Sequence, residues 1–439
     1  MPTRLTYGLG TVATALLVVS PALAQTPVPV AVVAQVSATS PGDLIRRAFD
    51  ANRELAAARL DLERGRARLR QAGLRPNPTL DIEHTTGRLT GSPEERELSV
   101  GVALPLEVGA KRQRRIDVAT AELAVIESEI ANRERELTRD VLAAYIDAIA
   151  ALRELETTDR LHQLDEQMAT VVRTRVDEKD APPLELSLLL TEVARLQARR
   201  ALIRGRIEAA LIAIGRLIGA PQERLTLLPS AVPLDLVSIP TDEETVIASA
   251  LNRRADVTVA RLSEEAAEAG VRLARAEAWP DITVSAAYRN NRGISELPSP
   301  LTAVPDTDHV MAFGASIGLP LYNKNQGARA EAAVVVRQAR LRRELTEQTV
   351  RAEVTSAFRR AEAARTALTI FEQGVIARSD DNLRIMRAAY DLGEFRISDV
   401  ITEQRRVLEA QQEYTQALAD RYRAIVDLRA AIGQTGLQP

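Results

Sequence analysis

The chain of 439 residues has no cysteine, a single tryptophan, three histidines and only 3% aromatic residues. Without cysteine there can be no disulfide framework, no thiolate metal site and no thiol for a lipid anchor. His84, His162 and His309 stand far apart at no ligand-like spacing, so neither a metal site nor a cofactor is expected. Scarce aromatics exclude the usual compact core, in which such side chains supply large buried areas. Charge of one sign is also missing: the formal net charge is −3, with acids and bases interspersed, and this excludes a nucleic-acid surface. No phosphate-binding glycine loop, nucleophile elbow, zinc motif or paired histidine–carboxylate constellation occurs, so no enzyme activity is expected.

What the chain does have begins with a processing signal. Arg4 precedes a short, largely apolar run from Leu9 to Val19, and Ala22-Leu23-Ala24 presents small residues at the two positions a signal peptidase reads. Ser20-Pro21 interrupts the run, which is shorter than the ~20 residues a membrane-crossing helix needs. Residues 1–24 therefore read as a signal peptide, and 25–40 as an extended, linker-like segment. Beyond them Ala, Leu, Arg, Glu and Val dominate, a composition that favours long helices or coiled coils.

An internal repeat organises the rest. Arg173–Gly219 lies over Arg387–Gly433 at an offset of 214 (387 minus 173), pairing Val176-Asp177 with Tyr390-Asp391 and Ile218-Gly219 with Ile432-Gly433. Leu69–Ala72 and Pro76 match Leu273–Ala276 and Pro280 at offset 204, while Leu104-Pro105-Leu106 matches Leu319-Pro320-Leu321 at offset 215. The second copy thus carries eleven extra residues (215 minus 204), which fall in the Pro/Ser/Asn/Gly-rich stretch Asn291–Asp308, where an exposed loop tolerates growth. Repeat one is placed at 41–228, a linker at 229–240, repeat two at 241–434 and a short tail at 435–439.

Each copy reads as helix, strand, loop, strand, very long helix, turn, helix. Single first helices are expected over Pro41–Gly73 and Thr241–Ala278, the second opened by a capping box of Thr241 and Glu244, and both stopped by Pro76 and Pro280. Period-two alternation predicts strands at about 79–87, 96–106, 281–290 and 309–321. Gly109–Val176 and Lys324–Asp391 contain no proline, and a helix of ~60 residues spans about 90 Å. In the first, Leu123, Ile126, Ile130, Leu137, Val141, Tyr145, Ile149 and Leu152 form a coiled-coil-like seam. Return helices are expected over Pro183–Ile218 and Ser398–Ile432, ending at Gly219 and Gly433.

Four strands do not make a closed sheet. Single-chain outer-membrane barrels need about eight or more, and lipid does not tolerate an open sheet edge. The number of strands in a completed barrel must then be a multiple of four.

In this order the duplicated plan, Arg75-Pro76-Asn77-Pro78-Thr79-Leu80, Leu104-Pro105-Leu106, and Leu392-Gly393-Glu394 before Ser398-Asp399-Val400 resemble the TolC-type outer membrane efflux protein family over essentially the whole mature chain. The chain is most similar to the outer-membrane component of cobalt-zinc-cadmium type (RND) cation efflux systems. The resemblance implies a mainly α fold with a small β part. In it, a homotrimer shares a 12-stranded transmembrane β-barrel in the outer membrane above an α-helical tunnel in the periplasm. It further implies a passive conduit, for divalent metal cations, that docks onto a periplasmic adaptor (membrane fusion) protein and an inner-membrane RND-type transporter. A drug, solute or type I secretion channel has the same fold, and a periplasmic coiled-coil scaffold is the competing class. The drug-type branch often carries a lipidated cysteine, which is absent here.

The resemblance places a gate and adaptor contact at the two helix–turn–helix tips. Candidates are Arg173, Arg175, Asp177, Glu178 and Glu185 in copy one, and Arg387, Tyr390, Asp391, Arg396 and Asp399 in copy two. As plain solvated turns, the same charges would contribute only ~0–1 kcal/mol per exposed pair. Trp279 and Tyr322 flank the second hairpin and suit an interfacial aromatic belt, although Trp279 fits the barrel–helix junction equally well. Asp81 and Glu83 are candidates for the barrel lumen.

Overall fold

The computed structural model describes residues 39–89, 92–227, 242–295 and 304–434. The expected signal peptide, most of the segment after it, the linker, Thr241 and the C-terminal tail lie outside these residues.

Where single first helices were expected, each repeat has two. Helix α1 (Pro41–Ala51) starts at Ser40, whose hydroxyl accepts from the Asp43 amide at 3.1 Å, and α2 (Arg53–Ala72) follows after a break at Asn52. In repeat two, α5 (Glu243–Arg253) and α6 (Ala255–Ala276) are separated at Arg254. The cap of α5 is Asp242, which accepts from the Thr245 amide at 3.1 Å, rather than the expected Thr241. Neither break contains proline or glycine. Each exists because a return helix ends against it. Asn52 caps α2 through the Leu55 amide (3.0 Å) and donates its Nδ2 to the Leu217 carbonyl (2.9 Å). Arg254, the counterpart of Asn52, donates to the Ala431 carbonyl at 3.4 Å, and 431 minus 217 is the repeat offset of 214. Orphan carbonyls at helix ends must find such partners.

The return helices α4 (Pro183–Leu217) and α9 (Ile397–Ile432) finish at Gly219 and Gly433, with φ of +72° and +87°. A Cβ on Gly219 would sit 2.3 Å from the Ala51 carbonyl oxygen, and one on Gly433 3.1 Å from the Arg253 carbonyl carbon. Glycine is therefore required both by conformation and by close approach.

Helix α3 (Lys111–Asp177) has 67 residues and is about 100 Å long at 1.5 Å per residue. Of its expected seam, Leu137, Val141, Tyr145 and Ile149 are buried with Leu44, Leu55, Ile214 and Ile218, whereas Leu123, Ile126, Ile130 and Leu152 are half-buried. The matching helix of repeat two runs without a break from Gln326 to Asp391, but with one change of winding. It comprises α7 (Gln326–Ile370), a π-helical turn at Phe371–Val375 and α8 (Ile376–Asp391). In that turn the Ile376 amide reaches back five residues to the Phe371 carbonyl. A second core joins Val246, Val257, Val350, Val354 and Phe358 to Leu428 and Ile432.

The strands are β1 (Thr79–Gly87), β2 (Ser92–Leu106), β3 (Ile282–Ser295) and β4 (Val304–Ile317). They form one antiparallel sheet in the order β1-β2-β3-β4, with the two repeats joined by β2–β3 pairing from Leu106↔Ile282 to Arg96↔Arg292. The ladder extends β2 toward its start and β3 beyond residue 290, while β4 begins earlier and ends earlier than expected. Leu319 and Leu321 fall outside β4 because its partner β3 begins at Ile282, opposite Ile317.

Candidate functional site

The register sorts the sheet into two chemically opposite faces. Leu80, Ile82, Leu98, Val100, Val102, Leu104, Val284, Tyr288, Met311, Phe313 and Ile317 share one face, since Ile82↔Val100↔Tyr288↔Met311 and Leu80↔Val102↔Ala286↔Phe313 line up across all four strands, and the next row toward the loops, His84↔Leu98↔Asn290↔His309, turns polar. These side chains are exposed in the protomer, Ile82 by 67% and Phe313 by 79%. The opposite face carries Thr79, Asp81, Glu83, Glu97, Ser99, Thr283, Ser285 and Arg289. An apolar face of this size left open in water is a strong signal of a lipid or protein environment. The outer strands β1 and β4 each leave one edge unpaired. Among the described residues no helix is long and apolar enough to cross a membrane.

At the other end of the helices, two hairpins meet. The turn after α3 places Lys179 at φ +66°, and the turn after α8 places Gly393 at φ +78°, so two different sequences adopt one geometry. In both, an amide bonds back five residues, Asp180 to the Arg175 carbonyl (2.8 Å) and Glu394 to the Ala389 carbonyl (2.9 Å). Tyr390 links the hairpins. It is 8% exposed and packs with Val172, Leu189, Ile397 and Val400. Its hydroxyl donates to Glu185 Oε2 (3.3 Å) and accepts from Arg175 Nη1 (3.5 Å), and the Arg175 guanidinium lies 5.9 Å from the ring centroid. Arg175 also donates to Asp180 at 3.1 Å, and that bond raises its affinity for the proton. Burial, with Glu185 beside it, raises the Tyr390 phenol in the same sense.

Of the residues expected at the tip, the structure therefore brings Arg175, Glu185 and Tyr390 together. Asp399 instead caps α9, accepting from the Arg396 amide at 3.1 Å. Arg173, Asp177, Glu178 and Asp391 are exposed and make no side-chain hydrogen bond or ion pair among the described residues. Arg387 is half-buried inside the bundle, with Nε and Nη2 lacking hydrogen-bond partners.

Arg387 belongs to a buried polar layer that sequence reasoning missed. All four tip helices contribute to it: Asp165 from α3, Glu192 from α4, Arg387 from α8 and Gln404 from α9. Asp165, Glu192 and Gln404 are 1%, 5% and 4% exposed. Glu192 Oε2 accepts from Arg405 Nη2 at 2.6 Å, whereas Asp165 Oδ1 and Gln404 Oε1 have no partner. Burial pushes the Asp165 carboxyl up to about 6 and depresses the Arg387 guanidinium. The signal was present in the sequence. The α3 seam continues past Leu152 through Thr158, His162 and Asp165, all buried, where apolar residues are the rule.

Trp279 and Tyr322 lie just beyond the ends of β3 and β4, 62% and 92% exposed. Trp279 also meets the junction, since a Cβ on Gly109 would lie 3.2 Å from it. Among the described residues no group of His, Asp and Glu is arranged to hold a metal ion.

An open-edged sheet with one apolar face, carried on helices of about 100 Å, defines a membrane protein whose sheet belongs in the bilayer and whose helices stand outside it. The chain belongs to the outer membrane efflux protein family, whose model matches residues 44–220 and 246–434. It is similar to the cobalt-zinc-cadmium resistance protein CzcC of Cupriavidus metallidurans, at 22% identity over 398 residues and 88% of each chain. It also resembles the pyoverdine export outer membrane protein OpmQ of Pseudomonas aeruginosa, 27% identical over 76% of this chain and 69% of the relative. The solved structure of CusC superposes with a TM-score of 0.75 at 20% identity, covering 91% of this chain and 93% of that one. The protein is thus an efflux channel of the outer membrane, a passive conduit and not an enzyme.

Proposed function

We propose that three copies of the chain share one barrel of twelve strands and one helical tunnel, and that the channel passes divalent metal cations delivered by an inner-membrane RND-type transporter through a periplasmic adaptor. The observation that carries the assembly is the sheet: four strands, one face apolar from its foot up to the row of Ile82 and Met311, and two unpaired edges. Pairing β1 of one copy with β4 of the next satisfies both edges and leaves lipid against Ile82 and Phe313. A metal cargo is supported by the likeness to CzcC along 88% of both chains. It is also supported by Asp81 and Glu83, which share the face opposite the lipid side and would line the lumen. The likeness to a pyoverdine exporter favours the second reading, an organic solute as cargo.

In this reading the tips form the periplasmic mouth. The Arg175–Tyr390–Glu185 link holds each protomer's two hairpins together, and the exposed Arg173, Asp177, Glu178 and Asp391 are left for neighbouring protomers or the adaptor. Trp279 and Tyr322 would sit at the membrane boundary.

Two measurements test this. Light scattering of the detergent-extracted protein, corrected for bound detergent, should give three protomers, and a detergent-free monomer would overturn the shared barrel. A strain lacking the protein should lose tolerance to cobalt, zinc and cadmium. Unchanged metal tolerance with impaired export of organic solutes would transfer the assignment to the second reading.

A further inference from the structure

Beneath β3 and β4, on the same side as the apolar face, lies a cleft of about 790 Å³. Its upper wall is Ile282 and Ile317, paired in register at the foot of the sheet, and Trp279 forms its side. Its lower wall is basic, with Arg275 from the end of α6, Lys324, and Arg329 from the first turn of α7. None of these three cations makes a side-chain hydrogen bond or ion pair among the described residues. Farther along the same helix, Arg340 and Arg343 both pair with Glu264, at 3.0 and 2.7 Å.

The fold itself does not require this arrangement. At the offsets of 204 and 215, copy one has Gln71 in place of Arg275, Arg75 in place of Trp279 and Gly109 in place of Lys324. Its counterpart of Arg329 is Arg114, which is already paired with Asp117 at 3.0 Å. Among the described residues, the aligned positions of copy one do not repeat this set of three unneutralised cations.

We propose that this cleft is a binding site for an anionic glycerophospholipid of the leaflet nearest the helices. The proposal rests on the reading that the apolar face of the sheet meets lipid. The phosphate takes charge-assisted hydrogen bonds from Arg275, Lys324 and Arg329, while the acyl chains run up past Ile282 and Ile317 along the sheet. Trp279, 62% exposed, lies at the level of the ester groups, where an amphipathic ring is most stable. Continuity of the cleft with the lipid-facing wall favours a lipid over a free phosphate ion. One occupied site on each protomer would fix the height and tilt of the barrel.

Trp279 is the only tryptophan in the chain and so reports on the cleft directly. The protein is reconstituted in bilayers of phosphatidylcholine with a minority of phosphatidylglycerol, the bromines being placed on one lipid or the other. The wild type should show about tenfold enrichment of the anionic lipid next to Trp279, and the variant Arg275→Gln/Lys324→Gln/Arg329→Gln should show close to none. Millimolar inorganic phosphate should not displace the quencher. Equal quenching per bromine by the two lipids, or by wild type and variant, overturns the site while leaving the membrane placement intact. Full displacement by phosphate would make it a site for a free anion instead. No quenching by either lipid would overturn the membrane placement of this face and the site with it.

Discussion

Asp165 is the group whose titration should report on how the tip bundle is poised. Its carboxyl is 1% exposed, and burial lifts it from the ordinary 3.8 to about 6. Glu192 of α4 pushes the same way, while the Gln404 amide of α9 and the Arg387 guanidinium of α8 oppose the shift. On its own helix, His162 faces Arg200 and Glu166 at 3.3 and 3.4 Å. Because the native value lies above the unfolded one, the native bundle binds this proton more tightly. The resulting stability is fully present below about pH 4, falls as the pH rises from there through about 6, and then levels off. A rise from 3.8 to about 6 corresponds to about 3 kcal/mol, or roughly 150-fold in the constant for local opening. The perturbation is Asp165→Asn, which is neutral throughout. Hydrogen exchange of the α3 amides on either side of residue 165, corrected for the intrinsic rate, should show wild-type protection falling by that factor between about pH 4 and pH 8. The Asn variant should be nearly flat. A wild type whose protection does not change, or an Asn variant with the same slope, would refute the reasoning.

Three further outcomes are expected. Gly219→Ala, at φ +72° with a Cβ 2.3 Å from a carbonyl oxygen, should cost about 3 kcal/mol or more, and Gly433→Ala less. Thermal melts followed by circular dichroism check this, and the reverse order would contradict the packing described. Phe313→Arg, in the middle of the apolar face, should cost about 2–4 kcal/mol of membrane stability and deplete the outer-membrane fraction, whereas Asp81→Asn on the other face should not. Reversing charge with Asp391→Lys and Asp399→Lys should alter single-channel conductance in a planar bilayer. Asp399→Ala serves as the control for its capping bond, whose loss alone costs about 1 kcal/mol. Conductance equal to wild type would remove the gate from this end of the molecule.

The duplication, the four strands and the long helices were legible because each rests on a local rhythm. Alternation by two marks Leu98, Val100 and Val102, and steps of three and four mark Val141, Tyr145 and Ile149. The breaks at Asn52 and Arg254 were not legible, because both residues are tolerable inside a helix and only the distant carbonyls of Leu217 and Ala431 call for them. Fusion of two hairpins into one sheet is likewise a matter of pairing between distant residues, such as Val102 and Ala286, 184 apart (286 minus 102), which no window detects. The π turn at Phe371–Val375 has Gly374 within it, but no side-chain bond enforces it. At the tip, charge drew attention to the turns, while the layer of Asp165, Glu192 and Gln404 lies buried inside the bundle, away from them.

The open edges of β1 and β4 also bear on how the protein reaches its destination. A protomer that has left the ribosome and crossed the inner membrane carries an apolar sheet with two free hydrogen-bonding borders, the same feature that nucleates aggregates. In the proposed shared barrel its last folding step is not unimolecular, since those borders are satisfied by other copies. Yield must then depend on a contest between productive encounters at the membrane and sterile ones in solution. Slow synthesis and prompt escort by a holdase would improve that yield, and overproduction should lower it even if every chain is intact.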